Sequence, residues 1–267
     1  MLGTIFNEIL YRPIFNILVF LYNIIPGHDF GIAIILLTIV VRVVLFPVAY
    51  KSIKSRLALS ALQPKIKEIQ NKYKNKEEQS RELMKVYKEH NVNPFSGCFA
   101  LVIQLVVLIQ LYRVFINVLK AVSLSALYPF IKSPGAINPS FLGIMDLSAT
   151  SINDITKKII IINFVVVILA AIAQFFSSKI TTKLTPVIPQ PGADKKANNF
   201  QKIMGQQMIY LAPILTIFIG IRFPAGLALY WLVNSILGIG QDYYLLNKFY
   251  GKSKANNQGH SPKNGDR

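Results

Sequence analysis

The residues that decide the fold are Phe30 to Tyr50, with the sequence F-G-I-A-I-I-L-L-T-I-V-V-R-V-V-L-F-P-V-A-Y. Apart from Thr38 and Arg42, this stretch carries no polar side chain until its final tyrosine. A helix of about 20 apolar residues is long enough to cross the ~30 Å hydrocarbon core of a bilayer. The stretch therefore predicts a transmembrane helix with a charge inside it.

The remainder of the chain repeats this apolar pattern. The 267 residues are 52% hydrophobic and carry a formal charge of +17. A soluble nucleic-acid-binding protein would have shorter, amphipathic segments, so we expect no sequence-specific nucleic-acid binding. The fold class predicted is an all-α polytopic membrane protein, a bundle of five transmembrane helices. The further spans are predicted at 94–119, 159–176, 204–221 and 223–246, with a turn at 222–224 between the last two.

The charge of the connecting segments predicts the orientation. Net charge is +6 in 51–93, +4 in 179–202 and +3 in 242–267, but −1 in 1–30 and zero in 120–155. Basic segments collect on the cytoplasmic side of a membrane. The pattern predicts a multi-pass protein of the inner (plasma) membrane, with its N-terminus outside and its C-terminus inside. Lys157 and Lys158 oppose the trend and are expected to snorkel.

Both ends of the chain differ from the spans. Residues 1–29 predict an amphipathic helix at the outer membrane interface, because the polar residues of this segment fall on one half of the helical wheel. A signal peptide is the alternative, but the segment has no basic n-region and no A-x-A-like cleavage site. Residues 30–248 form the predicted core, and 249–267 form a basic cytoplasmic tail that we expect to be disordered.

The segment 51–93 predicts a helical hairpin in the cytoplasm, joined near 72–79. Pro64 predicts a kink or a break in its first helix, and Asn93-Pro94 predicts the start of the second span. Apolar residues recur at helical spacing in both halves, at Leu57, Leu59, Leu62, Ile66 and Ile69, and at Leu83, Val86 and Tyr87.

The sequence offers no enzyme site. Cys98 is the single cysteine, and the three histidines are scattered with no spacing that suits a metal. There is also no glycine-rich phosphate loop. We therefore expect no catalytic residue, no cofactor and no metal.

Arg42 is the feature that requires a functional explanation. Facing lipid, it would cost about 2.5–3.5 kcal/mol. A salt bridge is one alternative, but the nearest acidic candidate is Asp242, at the inner end of the last span. Snorkelling is another, although the helix end lies about 12 Å away. An arginine without a counter-charge in a hydrated cavity is favoured.

Polar residues at helical spacing could line such a cavity. Thr38 shares the helix face of Arg42 because it lies four residues before it. Each stripe by itself could equally be interhelical hydrogen bonding. The other candidates are Gln104 in the second span, Asn163, Gln174 and Ser177 in and after the third, and Trp231 and Asn234 in the fifth, where Gly238 and Gln241 continue the stripe.

Four ordered motifs carry a family resemblance. They are G-I-A-I-I-L-L-T-I-V-V-R-V-V-L-F-P from Gly31, A-L-Q-P-K-I-K-E-I-Q-N-K-Y-K from Ala61, N-V-N-P-F-S-G-C from Asn91 and F-P-A-G-L-A-L-Y-W-L-V-N-S from Phe223. Together, and in this order, they resemble the YidC/Oxa1/Alb3 membrane insertases over nearly all of 31–241.

The resemblance implies a membrane protein insertase and chaperone with a hydrophilic groove that is open to the cytoplasm and to lipid but closed outside. Arg42, Thr38 and Trp231 match the groove positions of that family, and Gln174 or Ser177 matches a further one. The implied partners are nascent membrane proteins and the lipid bilayer, with the ribosome and the Sec translocon as further candidates. A small anion transporter or channel is the alternative, and a purely structural assembly factor is a third hypothesis.

Overall fold

In a computed structural model, residues 6–73, 75–93, 96–119, 126–152, 160–184 and 195–258 are described, and most of them are helical. A π-helical turn, Asn7–Tyr11, leads directly into α1, Arg12–Ile24. Helix α1 ends shortly before Pro26. Gly27 and His28 then turn the chain, with positive φ angles of 78° and 51°. The predicted N-terminal helix is confirmed, although its place at the membrane interface stays a prediction.

The polar half of α1 contacts protein. Asn16 is only 1% exposed. Its Nδ2 donates to the Ala126 carbonyl at 2.9 Å, and its Oδ1 accepts from the Tyr128 N–H at 2.7 Å. These bonds tie α1 to the connection that follows the second predicted span. Phe20 and Ile24, in contrast, remain half exposed on α1.

Helix α2, Phe30–Ala61, contains the first predicted span and extends well past its predicted end. Asp29 caps its start, since Oδ1 accepts from the Ile32 N–H at 2.9 Å. Helix α3, Gln63–Lys72, follows after one residue, with Pro64 in its first turn. The predicted break at Pro64 is confirmed, because a proline fits the first turn of a helix but not its interior.

Helix α4, Lys76–Glu89, pairs with α3 and completes the predicted hairpin. The joint is shorter than predicted, because Asn75 caps α4 by accepting from the Glu77 N–H at 3.0 Å. A separate small core holds the hairpin together. It contains Leu59, Leu62, Ile66, Leu83, Val86, Tyr87 and Val92, and Ile69 packs against it. Leu57, predicted on the same apolar face, is not part of this core.

The remaining helices are α5, Ser96–Leu119, α6, Ile161–Leu184, α7, Lys195–Arg222, and α8, Ala225–Gln258. The predicted turn at 222–224 is confirmed. The disorder predicted from 249 onward is wrong as far as Gln258, because α8 continues to that residue. Pro94, and with it the predicted helix start at Asn93-Pro94, lies outside the described residues, as do Lys157 and Lys158.

A small sheet lies in the connection between α5 and α6. Strands β1, Ser140–Phe141, and β2, Met145–Asp146, pair antiparallel. The Leu147 carbonyl accepts from the Gly226 N–H at 3.0 Å, so this connection covers the beginning of α8. At the same end of the bundle, Phe30, Leu37 and Tyr230 are almost fully buried in the main hydrophobic core.

Two helical segments, Phe30–Ala61 and Ile161–Thr182, are long and apolar enough to span a membrane. The apolar segments Val102–Asn117 and Ile209–Arg222 are shorter. The five-span arrangement and its orientation therefore stay predictions. Within the bundle, α8 packs against α2 and α6, and α6 packs against α7.

Candidate functional site

A cavity of about 540 Å³ lies among α2, α5, α6, α7 and α8. The residues of α2 that line the cavity begin at Arg42 and continue toward the hairpin. At the other end of the bundle, where α2 begins, the hydrophobic core around Tyr230 fills the space between the helices. The cavity is thus closed toward that end of the bundle. The polar and charged residues of its wall are Arg42, Ser52, Arg56, Gln104, Gln174, Ser177, Thr181, Thr216, Trp231, Asn234, Ser235, Gln241 and Asp242.

Arg42 is held by a neutral partner. Its Nε donates to the Asn234 side-chain oxygen at 2.8 Å, and its Nη2 donates to the Asn234 backbone carbonyl at 2.5 Å. The guanidinium lies against Gly238, where an added Cβ would come within 2.6 Å of Nη2. Asparagine orients the arginine without neutralising it, so the positive charge remains available to the cavity.

The cavity does contain a carboxylate, contrary to the expectation that it lacks a counter-charge. Asp242 shares the wall with Arg42 and Arg56, and Thr181 is hydrogen-bonded to Asp242. The apolar run of the last span places Asp242 at its end, whereas the helix α8 continues well beyond this residue. Arg56 was missed for a similar reason, since α2 remains helical beyond Tyr50. Two arginines and one aspartate leave the wall positive.

Six predicted site residues meet in this cavity: Arg42, Gln104, Gln174, Ser177, Trp231 and Asn234. Besides the Arg42–Asn234 pair, Gln104 and Gln174 are joined to α8 by side-chain hydrogen bonds. Gln104 Nε2 donates to the Tyr230 hydroxyl at 3.0 Å, and Gln174 Oε1 accepts from the Ser235 hydroxyl at 3.0 Å. Gly238 and Gln241, from the same sequence stripe as Trp231, also line the wall.

Thr38 and Asn163 do not line the cavity. Thr38 is 1% exposed, and its hydroxyl donates to the Ile34 carbonyl of the preceding turn at 2.7 Å. Asn163 is fully buried near the start of α6, where its Nδ2 lies 3.4 Å from the carbonyls of Asp146 and Ala149. Both predictions used periodicity, which identifies a helix face but not the depth at which that face meets a cavity.

The cavity has one wall with little packing across it. Helices α5 and α7 both contribute residues, yet within the described ranges they are not among the helix pairs that pack extensively against each other. Exposed apolar side chains continue along both helices, including Leu105 on α5 and Leu215 on α7, each about half exposed and each also part of the wall. Beside the cavity, the described parts of α5 and α7 therefore pack little against each other and expose apolar side chains.

Histidine, cysteine, aspartate and glutamate do not gather into a group of three suited to a metal ion within the described residues. The polar side chains of the wall are mainly amides, hydroxyls, one carboxylate and two guanidinium groups, and they lie among aliphatic side chains such as Leu45, Ile103 and Leu215. Such a set suits hydrogen bonding to polar peptide segments and pairing with carboxylates.

Comparisons with known proteins agree with this architecture. The model of the 60Kd inner membrane protein family matches residues 20–253. The chain is 35% identical over 237 residues to the membrane protein insertase YidC of Syntrophus aciditrophicus, covering 88% of this chain and 36% of that protein. It is 31% identical over 232 residues to the membrane protein insertase YidC of Clostridium tetani, covering 86% of this chain and 87% of that protein.

A solved structure is also similar. The crystal structure of an active YidC insertase, with the first transmembrane domain resolved, superposes with a TM-score of 0.54 at 28% identity, over 90% of this chain and 46% of that one. The chain spans about a third of the length of several of the curated relatives, with 36% of the Syntrophus protein and 37% of the Geotalea uraniireducens protein covered. Because the family model covers most of the chain, and the Clostridium protein is matched over nearly its whole length, this chain is a membrane protein of the 60Kd inner membrane protein family, to which the YidC insertases belong.

Proposed function

We propose that this chain is a membrane protein insertase, which accepts a nascent membrane protein (the client) in the cavity around Arg42. One observation carries the proposal: Arg42 lines a cavity whose wall combines polar and aliphatic side chains, while its hydrogen bonds go to Asn234, which has no charge. The names of the similar proteins support the same function. No catalytic step is required. The proposal includes three parts of the chain: an interfacial helix in 1–29, the insertase core in 30–248 and a basic cytoplasmic tail in 249–267.

The cavity lowers the cost of moving a polar segment into the bilayer. Amide and hydroxyl groups, together with water, replace part of the hydration that the segment loses. The charge of Arg42 favours acidic segments in particular. The apolar part of the client then moves between α5 and α7 into lipid, and burial of its apolar surface, worth roughly 25 cal/mol per Å², drives the step without ATP.

The proposal includes an orientation. Five spans place the N-terminus outside and both the hairpin and the C-terminus in the cytoplasm. The hairpin then lies where a client arrives, and the basic end of the chain lies where anionic partners such as the ribosome or anionic lipid could bind. Cooperation with the Sec translocon belongs to the same proposal.

Insertion into liposomes tests the function. Purified protein should insert a small single-span client with an acidic translocated tail. Arg42→Ala should slow this insertion by about ten-fold or more, as expected for loss of a charge-assisted hydrogen bond, and Arg42→Lys should retain most of it. Normal insertion by Arg42→Ala would mean that the arginine has only a structural role.

An anion channel is the rival use of a positive cavity. Flux of a small anion through the same liposomes, in the absence of any client, would favour the channel. We expect client insertion and no such flux.

A further inference from the structure

Arg56 is the second arginine of the cavity wall. It lies fourteen residues after Arg42 on α2, which places it about 21 Å further along the axis and within about 40° of the same helix face. Side chains on a helix lean toward its N-terminus. This direction brings the Arg56 side chain from the hairpin end of α2 back into the cavity.

Asp242 lies between the two arginines along the bundle. Helices α2 and α8 run in the same direction, because Gly226 abuts Ile34 and Asn234 binds Arg42 further along both helices. Asp242 follows Asn234 by eight residues, or about 12 Å of helix. Among the described wall residues it is the only carboxylate.

The two guanidinium groups differ in their hydrogen bonding. Arg42 uses Nε and Nη2 on Asn234. The Nε of Arg56 is buried and has no hydrogen-bond partner within the described part of the chain. A buried guanidinium donor without an acceptor is costly, so Arg56 is a group that a further carboxylate would stabilise.

We propose that Arg56 is a second carboxylate-binding residue for the client, at the inner mouth of the cavity, and that Asp242 is the resident counter-ion that an acidic client residue replaces. The inference rests on the proposed insertase function. When a client carboxylate replaces that of Asp242, the buried charge of Arg56 stays paired. Displacement of Asp242 without such a replacement would leave Arg56 unpaired. An acidic client segment thus meets Arg56 first and Arg42 afterwards.

The proposal assigns opposite effects to the two partners. Removal of the Arg56 charge slows acidic clients more than neutral clients. Removal of the Asp242 charge frees Arg56 from its competitor, so acidic clients insert faster. Because Asp242 acts through Arg56, its effect disappears when Arg56 is also neutral.

The test uses the full chain in liposomes and two single-span clients that differ only by Glu→Gln changes in the translocated segment. The measured quantity is the ratio of acidic to neutral insertion rates. Arg56→Gln should lower this ratio about five-fold, the size expected for a partly hydrated ion pair, and Arg56→Lys should restore it. Asp242→Asn should raise the ratio, but not in the Arg56→Gln background.

Equal slowing of both clients by Arg56→Gln would overturn the inference, since a structural role alone predicts that result. The inference would also be overturned if Asp242→Asn still raised the ratio of acidic to neutral insertion rates in the Arg56→Gln background. In either case wild-type insertion leaves the insertase proposal intact. If the wild-type protein inserted neither client, the insertase proposal itself would fail, and the inference with it.

Discussion

Because Gly238 has no side chain, the Arg42 guanidinium can lie directly against its backbone. Gly238→Ala would place a methyl group 2.6 Å from the present Nη2 position and force the guanidinium to move. We expect a several-fold loss in insertion of acidic clients. Gly240→Ala is the matched control, because an added Cβ at Gly240 meets nothing within 4 Å and the gain in helix propensity, about 1 kcal/mol, is the same. Similar insertion rates for the two variants would contradict this role of Gly238.

At the scale of single residues, charge in an apolar run was the most informative sequence signal. It singled out Arg42, and the structure places that residue in the cavity. Polarity and periodicity were less reliable. Thr38 shares the face of Arg42, yet its hydroxyl is satisfied by its own helix. Asn163 belongs to a polar stripe that includes Gln174, yet it binds the connection at the other end of α6.

The hairpin is stabilised by a core of its own, with one unfavourable group. The Tyr87 hydroxyl is buried and has no hydrogen-bond partner within the described residues. Tyr87→Phe should therefore raise the stability of the hairpin by about 1 kcal/mol, whereas Leu83→Ala should lower it by about 2–5 kcal/mol. Hydrogen exchange of the α3 and α4 amides in the full chain measures both. Faster exchange in Tyr87→Phe would show that the hydroxyl has a partner.

The same hydroxyl gives the hairpin a dependence on alkaline pH. Burial raises the pKa of Tyr87 above its ordinary value of 10.0, so the folded hairpin holds this proton more tightly than the unfolded chain does. The contribution of this protonated hydroxyl to the stability of the hairpin is fully present below pH 10.0. It is lost as the pH rises through the folded-state pKa of Tyr87. In Tyr87→Phe this alkaline loss should be smaller in the same exchange measurement.

Helix α1 is held by the backbone of the connection after α5. Asn16→Ala would leave the Tyr128 N–H without its acceptor and should lower the free energy of unfolding by about 1–3 kcal/mol. Asn23→Ala is the control, since it removes only an exposed bond to Lys132 and should change stability by less than about 0.5 kcal/mol. Thermal unfolding in detergent compares the two variants, and equal shifts would contradict the role of Asn16.

At the scale of elements, hydropathy predicted where the helices lie better than where they end. An apolar run stops where the side chains leave lipid, but the backbone hydrogen bonds of a helix continue until a cap or a proline interrupts them. Helix α2 therefore passes Tyr50 and ends before Pro64. This extension brings Arg56 to the cavity, and the length of α8 does the same for Asp242. Neither contribution follows from the predicted spans alone.

For the whole molecule, the orientation predicted from charge is open to direct test. In a Cys98→Ser background, a cysteine replacing Ser133 should react with a membrane-impermeant thiol reagent added to intact cells. A cysteine replacing Lys67, on the exposed side of the hairpin, should react only after the membrane is opened. Labelling of the hairpin site in intact cells would reverse the assigned orientation.

Occupation of the cavity by a client can be tested directly by crosslinking. Gln174 and Ile172 lie at nearly the same depth on α6, but Gln174 lines the cavity and Ile172 is 49% exposed outside it. A photocrosslinking residue at each position can be irradiated with ribosome-stalled client chains. We predict that the polar segment of the client crosslinks strongly from position 174 and weakly from position 172. Equal crosslinking from both positions, or stronger crosslinking from 172, would contradict the account.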